Sequence, residues 1–548
     1  MPKPKTLSPQ AQTTPQHLAS IVKSARDKMR KDKGLSGDTD RLPQLTWIMF
    51  LKFLDDAETL RQTEAELAGQ AFRPAMEAPY RWRDWAAPAD DLTGDDLIAF
   101  INNDEAVRPD GVRGPGLFAY LKSLRGADGG DRRDVIANVF RGTLNRMING
   151  YILREVLTVF NQINFASSDE IHTLSALYES MLKEMRDAAG DAGEFYTPRA
   201  VVRFMVEALD PQLGDTVLDP ACGTGGFLVE AYEHLHKQCA SVEDLGLLQR
   251  NSIFGVEAKP LPYLLCQMNL LLRGLEYPQI AYENALAVKI GEIGDRDRVD
   301  VILTNPPFGG EEESKIRSNF PADKQTNETA LLFLQLIMRK LRRGPHPPAL
   351  RASPHFRQSA QGHEDSTTAK MGAPQGGRAA VVVPNGTLFG DGVAARIKEE
   401  LLHEFNLHTI VRLPNGVFSP YTSIPTNLLF FEVGGPTKEI WYYEQTLPDG
   451  VKNYTKTHPM RAEEFTDCLA WWHDRTESER AWRVSVTEVL KYAPDGSLLS
   501  ANLDVKNPSR AADLEHLPPA VLAESIAAKE KQILGLMDEI KRLLAKEV

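Results

Sequence analysis

Apolar and polar positions along this chain follow two different periods, and the change comes near residue 194. Before it, residues 17–165 carry mostly helical spacing. The segment Leu45-Thr46-Trp47-Ile48-Met49-Phe50-Leu51-Lys52-Phe53-Leu54 is apolar nearly all round, which predicts a buried helix. Between Ala71 and Gly130 the pattern breaks into Pro, Gly and Asp, with Trp82 and Trp85 close together, and loops with short helices are expected. A helix is expected over Arg141–Ile163. Another opens at Ser167-Ser168-Asp169-Glu170, which has capping-box spacing, and continues through Leu174, Leu177, Tyr178, Met181, Leu182 and Met185 until Gly190 and Gly193.

After residue 194, short β-branched runs alternate with helical stretches. The runs are Thr216–Asp219, Ser252–Glu257, Val299–Thr304, Ala379–Pro384, Leu407–Leu413 and Thr426–Val433. This predicts an α/β fold on a doubly wound, Rossmann-like sheet. The last two runs are joined by Pro414–Pro425, too short for a crossover helix, so an antiparallel pair at the sheet edge is expected. Gly344–Gly377, between a helix at Leu331–Leu341 and the run at Ala379, holds five Pro and five Gly in 34 residues with few large apolar side chains. Such a segment buries too little to order itself and reads as a flexible insert, tolerated for its own sake or touching DNA or a partner. Past 435 the chain turns mixed and polar, then ends in a helix, Pro519–Glu547. There Ile526, Ile533 and Ile540 are spaced as a heptad, with Leu536 and Leu543 between and Lys529 interrupting. That helix packs on its own domain or against another subunit. The expected divisions are a tail at 1–16, a helical domain at 17–165, a catalytic domain at 166–435 and a C-terminal region at 436–548.

Composition narrows this picture. With 548 residues, 42% hydrophobic and 25% charged, the chain has material for roughly three or four domains. No apolar stretch approaches a membrane span, and the Pro-, Gln- and Thr-rich start lacks the apolar region of a signal peptide. Four cysteines without paired spacing argue against a zinc site or disulfide framework and fit reducing cytoplasm. The net charge of −12 excludes a surface that binds polyanions everywhere, so contact with nucleic acid would need a local basic channel or a partner.

Three motifs carry candidate chemistry. In Val217-Leu218-Asp219-Pro220-Ala221-Cys222-Gly223-Thr224-Gly225-Gly226-Phe227 a strand ends, a glycine turn follows and a helix opens near Gly226. Glycine lets backbone approach a ligand, and the helix start offers unpaired N–H groups. Such a turn alone could serve a dinucleotide or nothing. Asp219, however, would repel a pyrophosphate and suits the ammonium of a methionine moiety. Glu257, at the end of the next strand, could accept both ribose hydroxyls of an adenosine, or be merely solvated. The third motif is Asp300-Val301-Ile302-Leu303-Thr304-Asn305-Pro306-Pro307-Phe308. Two prolines stiffen the corner and remove two donors. The Asn305 side-chain oxygen and the Pro306 carbonyl could then accept both hydrogens of a planar exocyclic amine, with Phe308 stacking on the base. The bland alternative is a proline turn after a strand.

With these motifs the chain resembles the amino-group DNA methyltransferases that use S-adenosylmethionine. Glu194-Phe195-Tyr196-Thr197-Pro198-Arg199 is similar to the segment preceding the glycine turn in adenine methyltransferases of the gamma arrangement. Locally, Thr197 would be an N-cap and Pro198 the first helical residue, with Phe195 and Tyr196 over the cofactor mouth. Asn284 sits where that family contacts the cofactor adenine. The resemblance extends to the modification subunit of type I restriction–modification systems, through Val381-Val382-Val383-Pro384-Asn385-Gly386, Leu413-Pro414-Asn415-Gly416-Val417-Phe418 and Thr426-Asn427-Leu428-Leu429-Phe430-Phe431. Two departures are Glu194, where the family often has Gln, and the insert. The resemblance implies an S-adenosylmethionine methyltransferase sheet, a helical N-terminal domain and transfer to N6 of a flipped adenine in double-stranded DNA. Asn305, Pro306, Pro307 and Phe308 would be catalytic. Residues 194–199, Asp219, Gly223, Thr224, Gly225, Gly226, Glu257 and Asn284 would bind the cofactor, with no metal. The implied partners are a specificity (S) subunit, a second copy of the chain on that same specificity subunit, and a restriction (R) subunit. Alternatives are methyl transfer to another planar amine, such as an RNA base or a protein glutamine, a scaffold that has lost its chemistry, or a nicotinamide dehydrogenase. The last shares the glycine turn but has no use for Asn-Pro-Pro-Phe.

Overall fold

The computed structural model describes residues 15–88, 92–126, 132–163, 165, 197–309, 313–344, 376–419, 422, 424–455, 458–510, 527, 529–531 and 533–537. The expected helix at 167–190, the motif residues Glu194, Phe195 and Tyr196, most of the 344–377 insert and most of the terminal helix therefore lie outside the described residues.

The N-terminal part is helical. Its centre is Asp38–Leu67, buried without a break from Gln44 to Asp55, as an all-round apolar stretch requires. The expected helix at 141–163 is instead two, Arg132–Arg141 and Gly150–Phe160. Asn149 separates them because its side chain accepts from the N–H groups of Tyr151 and Ile152 and caps the second. The region 71–126 is loops and short helices, as expected, with one small antiparallel ladder added, Glu105–Val107 on Arg113–Pro115. Glu276, just before the sheet's outer strand, accepts from Arg61 at 3.1 Å and Arg132 at 2.8 Å and ties this helical part to the sheet.

Among the described residues the sheet has nine strands: β1 Val217–Asp219, β2 Ile253–Glu257, β3 Gln279–Tyr282, β4 Val301–Thr304, β5 Arg378–Pro384, β6 Asn406–Arg412, β7 Thr426–Glu432, β8 Glu439–Glu444 and β9 Ala481–Ser485. Their spatial order is β9-β8-β6-β7-β5-β4-β1-β2-β3. From β5 through β4, β1 and β2 to β3 every pairing is parallel. β7 then runs antiparallel to β5 and β6, β8 parallel to β6, and β9 antiparallel to β8. All six expected runs are strands. The β6–β7 pair is antiparallel, but it is not at the edge. Two strands from the polar stretch after residue 435 extend the same sheet past it, so the sheet does not stop where the sequence pattern does.

Parallel order follows from burial on both faces. All four residues of β4 are buried, and helices on either side complete two apolar layers. Both attachment points of the insert lie at the amino end of β5: Gly377 donates to Arg342, and Arg378 stands opposite Val301, the first residue of β4.

Candidate active site

Parallel strands deliver their carboxyl ends to one rim, and ligands of such sheets bind in the crevice outside it. Here β1, β4 and β2 end at Asp219, Thr304 and Glu257. Because β1 lies between β4 and β2, residues 85 and 34 positions apart meet. Thr304 Oγ1 donates to Asp219 Oδ1 at 2.7 Å, and the Ala221 N–H donates to the same oxygen at 3.0 Å. Glu257 reaches back under the turn, Oε2 accepting from the Gly223 N–H at 2.9 Å and Oε1 from the Lys259 N–H at 2.7 Å.

The glycines serve different ends. Gly225 has φ +80°, and a Cβ there would lie 2.8 Å from Cys266 Sγ, so the turn needs it for close packing. Gly226 opens the helix Gly226–His236, and an added Cβ would meet nothing nearer than Arg199 Nη1 at 3.4 Å. Asn269 Nδ2 donates to the Thr224 carbonyl at 3.0 Å and fixes the turn from behind.

Burial sets the charges. Asp219 is fully enclosed, and desolvation pushes its carboxyl up to about 7 against the opposing pull of its two hydrogen bonds. Glu257 is raised by the same cause, resisted by the backbone N–H groups it accepts. Burial also holds the Cys222 thiol well above its ordinary value, 3.8 Å from Cys266.

A cavity of about 410 Å³ joins these groups. Of the residues expected at the site, Thr197, Arg199, Asp219, Gly223, Thr224, Gly226, Glu257, Asn284, Asn305 and Pro307 line it; Pro198, Gly225, Pro306 and Phe308 do not. Asn284 follows β3, where its side chain accepts from the Leu286 N–H. Phe308 sits against the Phe418 ring, edge to face at 5.8 Å. The helix after Thr197 starts one residue later than expected. Pro198 holds the capping position and no side chain caps the helix. Thr197 Oγ1 instead accepts from Asn305 Nδ2 at 3.0 Å. Asn305 Oδ1 is buried and has no hydrogen-bond partner among the described residues.

Sequence reading missed Thr304 and Asn269. Each carries a signal in retrospect. Thr304 is the one polar residue inside the apolar run before Asn305, and Asn269 interrupts the apolar helix Pro260–Leu272. Thr329 and Phe333, on the cavity wall from helix Thr329–Lys340, carry no such local signal. Among the described residues no cluster of side chains could hold a metal ion, and no helix is long and apolar enough to cross a membrane.

Known proteins identify the family. The N-6 DNA Methylase family model matches residues 169–346 and 370–499, and that of the HsdM N-terminal domain matches 18–157. Fold and site thus define a DNA methyltransferase of the N-6 adenine class. The type I restriction enzyme EcoEI methylase subunit of Escherichia coli is 43% identical over 537 residues, 96% of this chain and 97% of its own length. A structure described as a type I modification subunit from Vibrio vulnificus YJ016 is 65% identical, with TM-score 0.81, over 93% of this chain and all of its own. A chain from a study of type I R-M complex assembly is 38% identical, with TM-score 0.70, over 98% of this chain and 99% of its own. The chain belongs to the methylase subunits of type I restriction enzymes.

Proposed function

We propose that this subunit transfers a methyl group from S-adenosylmethionine to N6 of an adenine flipped out of duplex DNA, with Asn305 as the principal amine acceptor. One observation carries the reading. The side-chain oxygen of Asn305 is buried without a partner among the described residues, on a side chain that lines the same cavity as the glycine turn. A buried polar atom left unpaired in this way costs free energy unless a ligand completes it.

The residues present fit the cofactor. Asp219, whose carboxyl is forced up by burial, gains by meeting the methionine ammonium. Glu257, which lines the cavity, takes the ribose hydroxyls in this reading, Asn284 the adenine, and the Gly223–Gly226 backbone approaches closely. Of the 194–199 motif, Thr197 and Arg199 line the same wall. When bound, the cofactor supplies a methyl carbon on a positively charged sulfur.

The chain itself orients the amine. Asn305 Oδ1 and the Pro306 carbonyl accept the two hydrogens and draw them from the ring plane, so the nitrogen lone pair turns toward the cofactor side. Pro306 and Pro307 keep that corner stiff. Phe308, backed by Phe418, gives the extruded base a flat face. Flipping costs a few kcal/mol, which this stacking and hydrogen bonding offset. The rest of the acceleration is positioning.

Sequence recognition belongs to a specificity subunit. The chain's net charge is −12, whereas reading a major groove calls for arginine-rich surfaces. Two copies of this chain on one specificity subunit, joined by a restriction subunit for cleavage, form the cytoplasmic assembly, docked through the N-terminal domain and the terminal helix.

The test is labelled methyl transfer to genomic DNA by the complex co-expressed with its specificity subunit, comparing wild type with Asn305→Ala. Label on adenine N6 in wild type only is expected. Full-rate labelling by Asn305→Ala removes the catalytic role, and label on RNA or protein glutamine instead of DNA removes the substrate.

A further inference from the structure

The Asn305 amide has two orientations related by a half-turn, and only one suits the chemistry above. With Oδ1 toward the substrate it accepts a hydrogen. Turned over, Nδ2 would face an amine that itself has hydrogens to give. The substrate amine, with hydrogens to give, rejects the second, and a partner behind the amide is needed to hold the first. In the structure Nδ2 donates to Thr197 Oγ1 at 3.0 Å, and Oδ1 is the atom left over. The Thr197 hydroxyl is not spent on its own helix, which has no side-chain cap. It comes from a residue 108 positions earlier in the chain and lines the same cavity. A threonine also suits the task because branching at Cβ limits its rotamers.

We infer that Thr197 is a positioning residue for the methylation step: its hydroxyl accepts from Asn305 Nδ2 and holds the amide side chain from behind, with Oδ1 left to the substrate amine. The segment leading into the cofactor wall would then act on the chemical step as well as on cofactor binding. This rests on the reading of Asn305 as the amine acceptor.

The test uses the complete complex with its specificity subunit. Single-turnover methylation at saturating S-adenosylmethionine is measured beside the dissociation constant of the same cofactor. Thr197→Val keeps the shape and removes the acceptor. It should lower the single-turnover rate at saturating cofactor by about 10- to 100-fold, the scale of a misplaced reacting group, a larger factor than any change in the cofactor dissociation constant. Thr197→Ser, which restores the oxygen, should recover the rate to within about threefold of wild type. If Thr197→Val gives no folded complex, Thr197→Ala takes its place. A Thr197→Val rate equal to wild type overturns the inference. So does a weakened cofactor with an unchanged saturating rate, which would make Thr197 a cofactor contact only. An active Asn305→Ala overturns the underlying reading; an inactive Asn305→Ala beside a fully active Thr197→Val overturns this inference alone.

Discussion

The glycine turn and the proline corner lie at the ends of adjacent strands, yet their polar groups are in opposite states. At the turn each carboxylate is held before any ligand arrives: Glu257 by two backbone N–H groups, and Asp219, through Oδ1, by one N–H and the Thr304 hydroxyl. At the corner Asn305 Oδ1 is buried and unengaged among the described residues. The contrast separates two tasks. A binding cradle gains from being rigid and internally satisfied, because little ordering remains when the ligand arrives. A group that assists chemistry gains from an acceptor that only the reacting partner satisfies, since interactions stronger in the transition state are those that raise the rate.

The largest effect should come from breaking the corner. Asn305→Ala should lower single-turnover methylation by at least about 10²–10³-fold, the scale of losing one preorganised transition-state contact. Cofactor affinity, by equilibrium titration, should stay within about twofold of wild type. Asp219→Ala should show the reverse pattern, with cofactor binding weakened about 10- to 100-fold, as for loss of a buried charge-assisted contact, and the rate largely recovered at saturation. If both variants lose affinity and rate together, turn and corner are one functional unit and the contrast fails.

How far this contrast could be read from sequence depends on how local each feature is. β1, β2 and β4 to β7 were legible because strands buried on both faces must be runs of apolar residues, as in Val301–Thr304. β8 was not, because Glu439-Ile440-Trp441-Tyr442-Tyr443-Glu444 mixes charged and aromatic residues near the sheet's rim, and only pairing with β6 and β9 makes it a strand. Asp219 and Asn305 stood out from their motifs, but the Asp219–Thr304 bond depends on strand order, which spacing along the chain does not encode. Thr197 shows the limit most clearly. Local rules assign its hydroxyl to a helix cap, and the fold spends it on Asn305. The insert at 344–377 was legible in composition and in its place just before β5; strand pairing adds that this end lies beside the start of β4, away from the cavity.

Acidity offers a finer probe of the turn. The Asp219 carboxyl is raised from 3.8 to about 7 by burial, so only above that range is it fully available as an anion to an ammonium. Cofactor affinity should therefore be flat above pH 7 and fall below it, approaching tenfold per pH unit. Asp219→Asn should be weaker but free of this slope. Stability of the cofactor-free protein should move the opposite way. The folded state keeps this proton to higher pH than the unfolded chain does, so the Asp219 contribution declines as pH rises from about 4 to about 7 and is constant above. Denaturant titrations of wild type and Asp219→Asn across that window read the difference; a wild-type affinity with no slope between pH 6 and 8 would mean that Asp219 does not meet the ammonium.

The smallest expected effect sharpens the comparison inside the turn itself, between two neighbouring glycines. Gly225→Ala must hold a side chain at φ +80° and press its Cβ to 2.8 Å from Cys266 Sγ. Left-handed backbone and local overpacking together should cost about 1–3 kcal/mol of stability. Cys266→Ala in the same chain should return only the part due to crowding, because the backbone strain remains. Gly226→Ala sits one residue on, at the first position of a helix, where an added Cβ meets Arg199 Nη1 at 3.4 Å and Val202 Cγ2 at 3.9 Å. It should change stability by no more than about 0.5 kcal/mol, since alanine is the better helix former and the crowding is slight. Yet Gly226 lines the cavity and Gly225 does not, so Gly226→Ala should still weaken cofactor binding through the methyl it adds to the wall. Equal losses of stability in the two alanine variants, read by denaturant midpoints at constant slope, would mean that packing against Cys266 is not what the second glycine of the turn is for.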